Sequence, residues 1–420
     1  MKQYPLQEEQ MLKDIQGLLH IESVNGSAPE EGAPLGRGVG DAIDYVLNLG
    51  KSFGFRTKNL DGYCGWVEMG EGEEIIGILV HVDTVSVDDG WSCDPFDGTI
   101  RDGKMFGRGA CDDKGPAIVS LYAMKAIAES GCQMNKRVRL IVGGDEESGA
   151  WKCLDRYKET EELPTCAFSP DAMYPVIYAE KGILRVRLSR ALDDGVKPMV
   201  LSAGKQANIV PAYACAEIGG KKYEATGIPS HAMEPELGVN ALIKLCGQLS
   251  EEGYAHPFLD LVKMANVHDL HIDFSDEPSG KLTLNPAVAK VDADHAELRC
   301  DIRYPVTFAP ETVVEAIRQA VEPLGFAVEM QLNVAPLYVE KDSKLVTTLQ
   351  KVFHDYTGLD TPPISTGGGT YARAFDNAVA FGIFFPGEVD MCHKVDEFWS
   401  VDSMKQNYQI IAGAIAALLQ

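Results

Sequence analysis

At 420 residues the chain exceeds one typical hydrophobic core, so two domains are expected. Its 45% hydrophobic and 24% charged residues describe an ordinary globular protein, and 62 Asp and Glu against 38 Lys and Arg, a net charge of -24, argue against nucleic acid or an anionic membrane as a partner. No run of about 20 apolar residues is present, so no membrane-spanning helix is expected.

The first segment, MKQYPLQEEQMLKDIQGLLH, lacks the unbroken apolar stretch of a secretion signal and reads as a helix. Ten cysteines without a CxxC pair fit reduced, mostly buried thiols and a cytoplasmic location. Asn25-Gly26-Ser27 matches a glycosylation sequon, which without an export signal is read as chance. Further on, EEIIGILVHVD ends a buried strand, GPAIVSLYAMKAIAES has helical spacing and KRVRLIVGGD is another strand. A short helix around residues 151–157 and the strand-like TCAFSPD follow. This alternation predicts an α/β layer with a mostly parallel sheet, in which ligands gather at the carboxyl ends of the strands. His81, the acids Asp145, Glu146 and Glu147, and Asp171 all follow their apolar runs directly.

From about residue 178 the pattern changes. GILRVRLSR is strand-like, GVNALIKLCGQLSEEG helical, and GKLTLNPAVAKV with HAELRCDIRYP a strand pair. ETVVEAIRQAVEPLG is a helix and FAVEMQLNV a closing strand. The order is close to β-α-β-β-α-β, a compact unit of its own. After Pro336 the α/β character returns with the helix SKLVTTLQKVFHDYTG, a Gly-rich turn, the strand NAVAFGIFFPG and the helix SMKQNYQIIAGAIAALL. The expected organisation is a first domain of residues 1–177 completed by 336–420, interrupted by an inserted α+β, ferredoxin-like domain of residues 178–335.

Five metal-capable side chains stand in glycine- or proline-marked turns. They are His81 in ILVHVDTV, Asp112 in GRGACDDKG, Glu147 in VGGDEESG, Asp171 in FSPDA and His393 in VDMCHKVDE. Two imidazoles and three carboxylates are what a pair of divalent cations needs, which points to a hydrolytic two-metal site. His81 and Asp83 form an HxD pair whose members face the same way on an extended segment. Asp83 is then placed to accept the second ring N–H of His81 and fix its tautomer, although a purely structural hydrogen bond fits equally. Asp112 and Asp113 precede a helix, where either could serve as an N-cap. Glu146 and Glu147 are adjacent and their side chains diverge, which suits one carboxylate on metal and one handling protons. GRGACD lacks the third glycine of a dinucleotide fingerprint, and the TGGGT turn lacks the lysine of a phosphate-binding loop.

Together GDEESG, FSPDA, YAEKG, SHAMEPELGVNA and STGGGTYAR resemble the co-catalytic zinc peptidase family of dipeptidase PepV, carnosinase, aminoacylase and succinyl-diaminopimelate desuccinylase. The resemblance runs nearly end to end and is closest to the PepV-like dipeptidase branch. It implies a zinc-peptidase catalytic domain with the inserted unit as a lid. It also implies two zinc ions, His81 and Asp171 on one, Glu147 and His393 on the other, and Asp112 bridging both. Glu146 would be the general base, Asp83 the orienter of His81, and the Asp112-Asp113 peptide would be cis. Manganese or cobalt could stand in for zinc on such mixed ligands.

By the same resemblance His231 in GIPSHAMEPELG donates to the oxyanion of the tetrahedral intermediate. Asn208 in QANIVP, Arg303 in DIRYP and the turn Gly367-Gly368-Gly369 would face the substrate, the guanidinium capturing a carboxylate. From the residues alone, a histidine in a Pro-rich turn, a surface strand arginine and a flexible turn describe these positions equally. The implied function is hydrolysis of the amide bond of dipeptides by a bridging water that two zinc ions activate. An N-acyl-amino-acid deacylase of the same family and an inactive scaffold with the same fold are the alternatives. The expected partner is a small peptide substrate. A homodimer is among the expected assemblies, since members of the family place the lid histidine in their own site or in a partner's.

Overall fold

Every residue of the strand Ile75–His81 is buried, and its unbroken apolar run follows from that: a strand covered on both faces has no polar face to alternate with. The computed structural model that shows this describes residues 2–193 and 195–420. They form two units, one comprising the chain up to Tyr178 with Val339–Ile364 and Thr370–Gln420, the other Ala179–Tyr338 with Ser365–Gly369.

In the first unit Ile75–His81 lies between Arg137–Gly143 and Cys166–Ser169, parallel to both. Ala378–Ala380 continues the parallel run beyond Cys166–Ser169. His81 is in register with Gly143, so the segments that follow both strands leave the sheet at the same end. The helix Lys114–Glu129 connects two of these strands and is buried except at Lys125, Ala128 and Glu129. An all-round apolar helix of this kind needs a cover on both sides. The sheet supplies one and the C-terminal helix Val401–Leu418 the other.

The expectation of a mostly parallel sheet is corrected here. Cys64–Gly70 runs antiparallel to Arg137–Gly143, Arg56–Leu60 runs antiparallel to Cys64–Gly70, and Ile177–Glu180 meets Ala378–Ala380 antiparallel. Within this sheet parallel pairing is confined to the centre, where the helices Lys114–Glu129 and Lys152–Thr160 cross between Ile75–His81, Arg137–Gly143 and Cys166–Ser169. At the edge a hairpin is enough. Asp61 and Gly62 both have positive φ, 55° and 74°, and the Tyr63 N–H closes the turn on the Leu60 carbonyl at 3.1 Å. That is the primed geometry which matches strand twist.

The sheet of the second unit is antiparallel throughout. Its strands lie in the order Lys221–Thr226, Tyr213–Ile218, Val200–Ala203, Thr283–Val291, His295–Tyr304, Gly182–Ala191, Ala327–Val334. The last four carry the β-α-β-β-α-β order of a ferredoxin-like unit. The first three extend the sheet by meandering hairpins. Alternate residues of Gly182–Ala191 (Leu184, Val186 and Leu188) enter one core with Leu242, Leu245 and Leu249 of the helix Ala241–Glu251 and Ile317 of Pro310–Val321. Asn240 caps the first of these helices by accepting the Leu242 and Ile243 N–H groups. Among the described residues no helix is long and apolar enough to cross a membrane.

Candidate metal centre

The common end of the parallel strands in the first unit collects the ionisable groups. His81 closes its strand, and its Nε2 lies 3.0 Å from Asp112 Oδ1 and 3.6 Å from Asp171 Oδ2. The other oxygen of Asp112 is 2.9 Å from His393 Nε2, which is also 3.0 Å from Glu147. Two donor groups result, His81 with Asp112 and Asp171, and Asp112 with Glu147 and His393. Within each, the ligand atoms all lie within 4.8 Å of one another, and Asp112 belongs to both. All five metal-capable residues singled out from the sequence therefore meet at one place.

Local structure accounts for each position. The Asp112-Asp113 peptide is cis, and Asp113, next to the helix start, makes no side-chain cap; its carboxylate accepts the His81 main-chain N–H at 2.9 Å. The His81 ring is oriented by Asp83, though not primarily by the carboxylate. The Asp83 carbonyl lies 3.0 Å from Nδ1, whereas Oδ1 is 3.4 Å away. The carboxylate instead accepts the N–H groups of Glu146 and Glu147, 3.0 Å each. Asp145, the first of the three consecutive acids, stands apart from the donor groups and accepts the Lys152 and Cys153 N–H groups at the start of the helix Lys152–Thr160. His393 adopts a left-handed backbone, φ 65°.

The electrostatics are those of a site with too much negative charge for its protons. Burial, then the Asp112 charge, pushes Glu147 up to about 7 and Asp171 up to about 6. Burial also raises Glu146 well above the usual carboxylate range. It pulls the His393 ring down, but the Asp112 and Glu147 carboxylates outweigh it and push the ring up to about 11. Asp112, despite its burial, is held far below the ordinary value by His393 and His81. Buried acids in this number are unfavourable without cations.

A pair of divalent metal ions fits these residues. His81 Nε2 is buried and makes no hydrogen bond, despite the nearby Asp112 oxygen, so its lone pair has no proton donor to face. Its Nδ1 partner fixes the tautomer that leaves that lone pair for an ion. Imidazole and carboxylate donors suit zinc, manganese and cobalt alike.

Sequence reasoning passed over two neighbours. Tyr371 packs edge-on against His81 with ring centroids 5.9 Å apart and against Trp151 at 5.5 Å, and its hydroxyl lies 2.9 Å from Cys153 Sγ. Gly143 makes this possible, because a Cβ there would sit 2.4 Å from the Tyr371 ring. Glu397, a fully buried acid four residues beyond His393, was hidden among the surface-like charges of HKVDE.

The remaining candidates lie in the second unit. A bridge between Ile209 and His231 aligns the Asn208 and His231 segments, and the Ala232 N–H donates to the Asn208 carbonyl at 2.8 Å. His231 Nδ1 accepts the Met233 N–H at 3.2 Å, so a neutral ring carries its proton on Nε2. Arg303 is buried rather than a surface residue; it donates to Asp301 at 2.6 Å and to the Gly367 carbonyl at 2.9 Å. Gly367 must be small, since a Cβ would come within 2.8 Å of Met233 Cβ, and the Gly368 N–H donates to Thr366 Oγ1 at 3.0 Å. Gly369 completes the turn.

Comparison with known proteins agrees with this chemistry. Residues 77–417 match the model of peptidase family M20/M25/M40. The chain is 38% identical to the Bacillus subtilis protein named "Putative dipeptidase YtjP", covering 98% of this chain and 97% of that one. It is 35% identical to a Staphylococcus epidermidis protein named "Putative dipeptidase", with the same coverage of 98% and 97%. Human carnosine dipeptidase 1 shares the fold at 14% identity with a TM-score of 0.60, over 98% of this chain and 97% of that structure. An M20 family metallo-carboxypeptidase from Sulfolobus solfataricus does so at 16% identity and a TM-score of 0.63, over 98% and 99%. With two potential metal-donor groups that share Asp112 and the family pattern along most of its length, the chain belongs to peptidase family M20/M25/M40 and is a metallopeptidase.

Proposed function

We propose that the protein is a dinuclear zinc dipeptidase of the PepV-like branch, acting in the cytoplasm on unblocked dipeptides. The observation that carries this reading is the sharing of Asp112 between two donor clusters, with Glu146 adjacent in sequence to the Glu147 of one of them. His81 and Asp171 would hold one ion and Glu147 and His393 the other, with Asp112 within reach of both. Ions held there would supply Lewis acidity to the scissile carbonyl and to the attacking water.

Glu146 is the general base. Its half-buried carboxylate makes no hydrogen bond to the described residues, and burial raises its affinity for a proton. It takes a proton as the water oxygen bonds to the carbonyl carbon, and returns that proton to the amine nitrogen as the C–N bond breaks. Asp83 keeps Glu146 and His81 in fixed relation. His231 steadies the oxyanion from Nε2. Asn208, Arg303 and the amides of Gly367, Gly368 and Gly369 recognise the peptide carboxylate, with Arg303 placing its charge beside the turn. The names of the two relatives favour dipeptides over N-acyl amino acids.

Parallel assays test this: unblocked dipeptides against N-acetyl and N-succinyl amino acids, with and without chelator, with metal quantified on the same sample. Dipeptide hydrolysis that chelator abolishes, with up to two ions per chain, is expected. Turnover confined to acylated substrates moves the protein to the deacylases, and a metal-free, inactive preparation removes the reading altogether.

A further inference from the structure

One fully buried carboxylate at the metal centre has no part in the mechanism above. Glu397 precedes the strand Phe398–Ser400, which pairs antiparallel with Lys104–Phe106. The ladder runs one step further, where the Gly107 N–H donates to the Glu397 carbonyl at 3.0 Å. Beyond that point the side chain takes over. Its Oε1 accepts the N–H groups of Gly109 and Cys111 at 3.1 Å each and the Cys111 thiol at 3.3 Å. Its Oε2 accepts Arg108 Nη1 at 2.6 Å, and Arg108 is itself only 1% exposed. Both carboxylate oxygens are thus engaged by the loop, and Glu397 belongs to neither donor cluster.

The loop gripped in this way leads straight into Asp112. Across the same junction the Cys111 and Cys392 thiols lie 3.8 Å apart, so the neighbours of Asp112 and His393 pack together. Asp112 must present one oxygen toward His81 and the other toward His393, which a loop free to shift by about 1 Å could not maintain. Charge-assisted hydrogen bonds to two amides of one loop hold its backbone more firmly than neutral ones.

We propose that Glu397 is the positioning residue for Asp112: paired with Arg108, it clamps the Gly109 and Cys111 amides so that the shared ligand faces both clusters. This rests on the two-metal reading above, and the experiment separates the two. In the full chain, the double substitution Arg108→Met with Glu397→Leu removes clamp and arginine partner together, while the Asp83 and Glu22 charges still act on the buried Lys114. Amide exchange at Gly109 and Cys111 is followed in metal-free protein, and zinc affinity by competition with a chelator. At least tenfold faster exchange at these two amides is expected, with strand amides of Ile75–His81 unchanged, together with at least tenfold weaker binding of one zinc equivalent or both. Wild-type exchange, or two equivalents bound at wild-type affinity by the folded variant, overturns the proposal. If the double variant does not fold, the same two measurements on Glu397→Gln decide by the same outcomes. Should the wild-type protein itself bind no pair of ions, the two-metal reading fails while the exchange measurement still reports on the clamp.

Discussion

The carboxylate of Asp83 holds the main chain of Glu147: Oδ2 accepts the Glu147 N–H at 3.0 Å while Oδ1 takes that of Glu146 at the same distance. One side chain thereby ties the turn after His81 to the turn carrying a candidate ligand and the proposed base. Replacing Asp83 with Asn turns one acceptor into a donor that faces an N–H in a fully buried place. Each charge-assisted bond of this kind contributes about 1.5–3 kcal/mol. Asp83→Asn is expected to lower kcat on the order of a hundredfold and to weaken zinc binding. Steady-state kinetics and metal analysis check it, and wild-type values for both would mean that the tie is dispensable.

Glu146→Gln separates base from ligand. The amide keeps the shape and the main-chain bonds to Asp83, but it cannot accept a proton. Turnover is expected to fall by about a hundredfold to ten-thousandfold, the range for losing a positioned general base. Metal content should remain at the wild-type level, because the donor clusters contain Glu147 and not Glu146. Turnover near wild type would take the base role from Glu146.

Metal binding should compete with protons. In the metal-free protein Glu147 is pushed up to about 7 by burial and the Asp112 charge, and His393 up to about 11 by the carboxylates that outweigh its burial. These groups must shed protons to bind an ion, so affinity falls as pH falls, by roughly tenfold per displaced proton for each pH unit. Calorimetry in buffers of different ionisation enthalpy counts the protons released. Zinc affinity that is level between about pH 6 and about pH 8 would contradict the charge balance drawn for the site.

Much of this centre was legible in the chain because buried parallel strands advertise themselves. Ile75–His81 is apolar up to its last residue, Arg137–Gly143 is apolar from Leu140 onward, and their ends, His81 and Gly143, lie in register. Short strands gave no such signal. Val200–Ala203, Tyr213–Ile218 and Lys221–Thr226 bury alternate residues, but these are mostly alanines in runs of four to six, too little apolar surface to mark a strand, and the hairpin that turns at Asp61 and Gly62 is equally faint. NAVAFGIFFPG reads as one strand, yet it breaks at Gly382, φ 96°, and Ile383–Phe384 pairs with Ala172–Met173 instead. Spacing brought Asp83 beside His81 but could not decide between its carbonyl and its carboxylate. Asp145 reads in sequence as a third member of the acidic site, whereas its carboxylate accepts helix N–H groups.

His231→Ala tests the oxyanion role. Met233 donates to Nδ1 and so leaves the ring proton on Nε2, the atom proposed to steady the tetrahedral intermediate. Loss of one such donor lowers kcat by about a hundredfold to a thousandfold. Metal content should stay unchanged, since neither donor cluster includes His231. An unaltered kcat would make His231 a bystander of the reaction.

The second unit contains a pH-sensitive cap that is independent of metal. His256 is buried at the start of the helix Pro257–Met264, and its Nδ1 accepts the Phe258 N–H at 3.1 Å. Burial lowers its affinity for a proton below the ordinary 6.5, and the Arg190 charge adds to this, against a smaller opposing effect from Asp260. The unfolded chain takes up that proton more readily than the folded one. The stabilisation is therefore whole above about pH 6.5, and it is lost as pH falls from there through the lowered native value. His256→Asn keeps a side-chain acceptor at the cap without the titration, so its stability should vary less across the same interval. Amide exchange at Phe258 and Leu259, followed from about pH 7.5 to about pH 5 in both proteins, reads the helix end directly. Equal pH dependence in the two would mean that the acid sensitivity of this unit arises elsewhere.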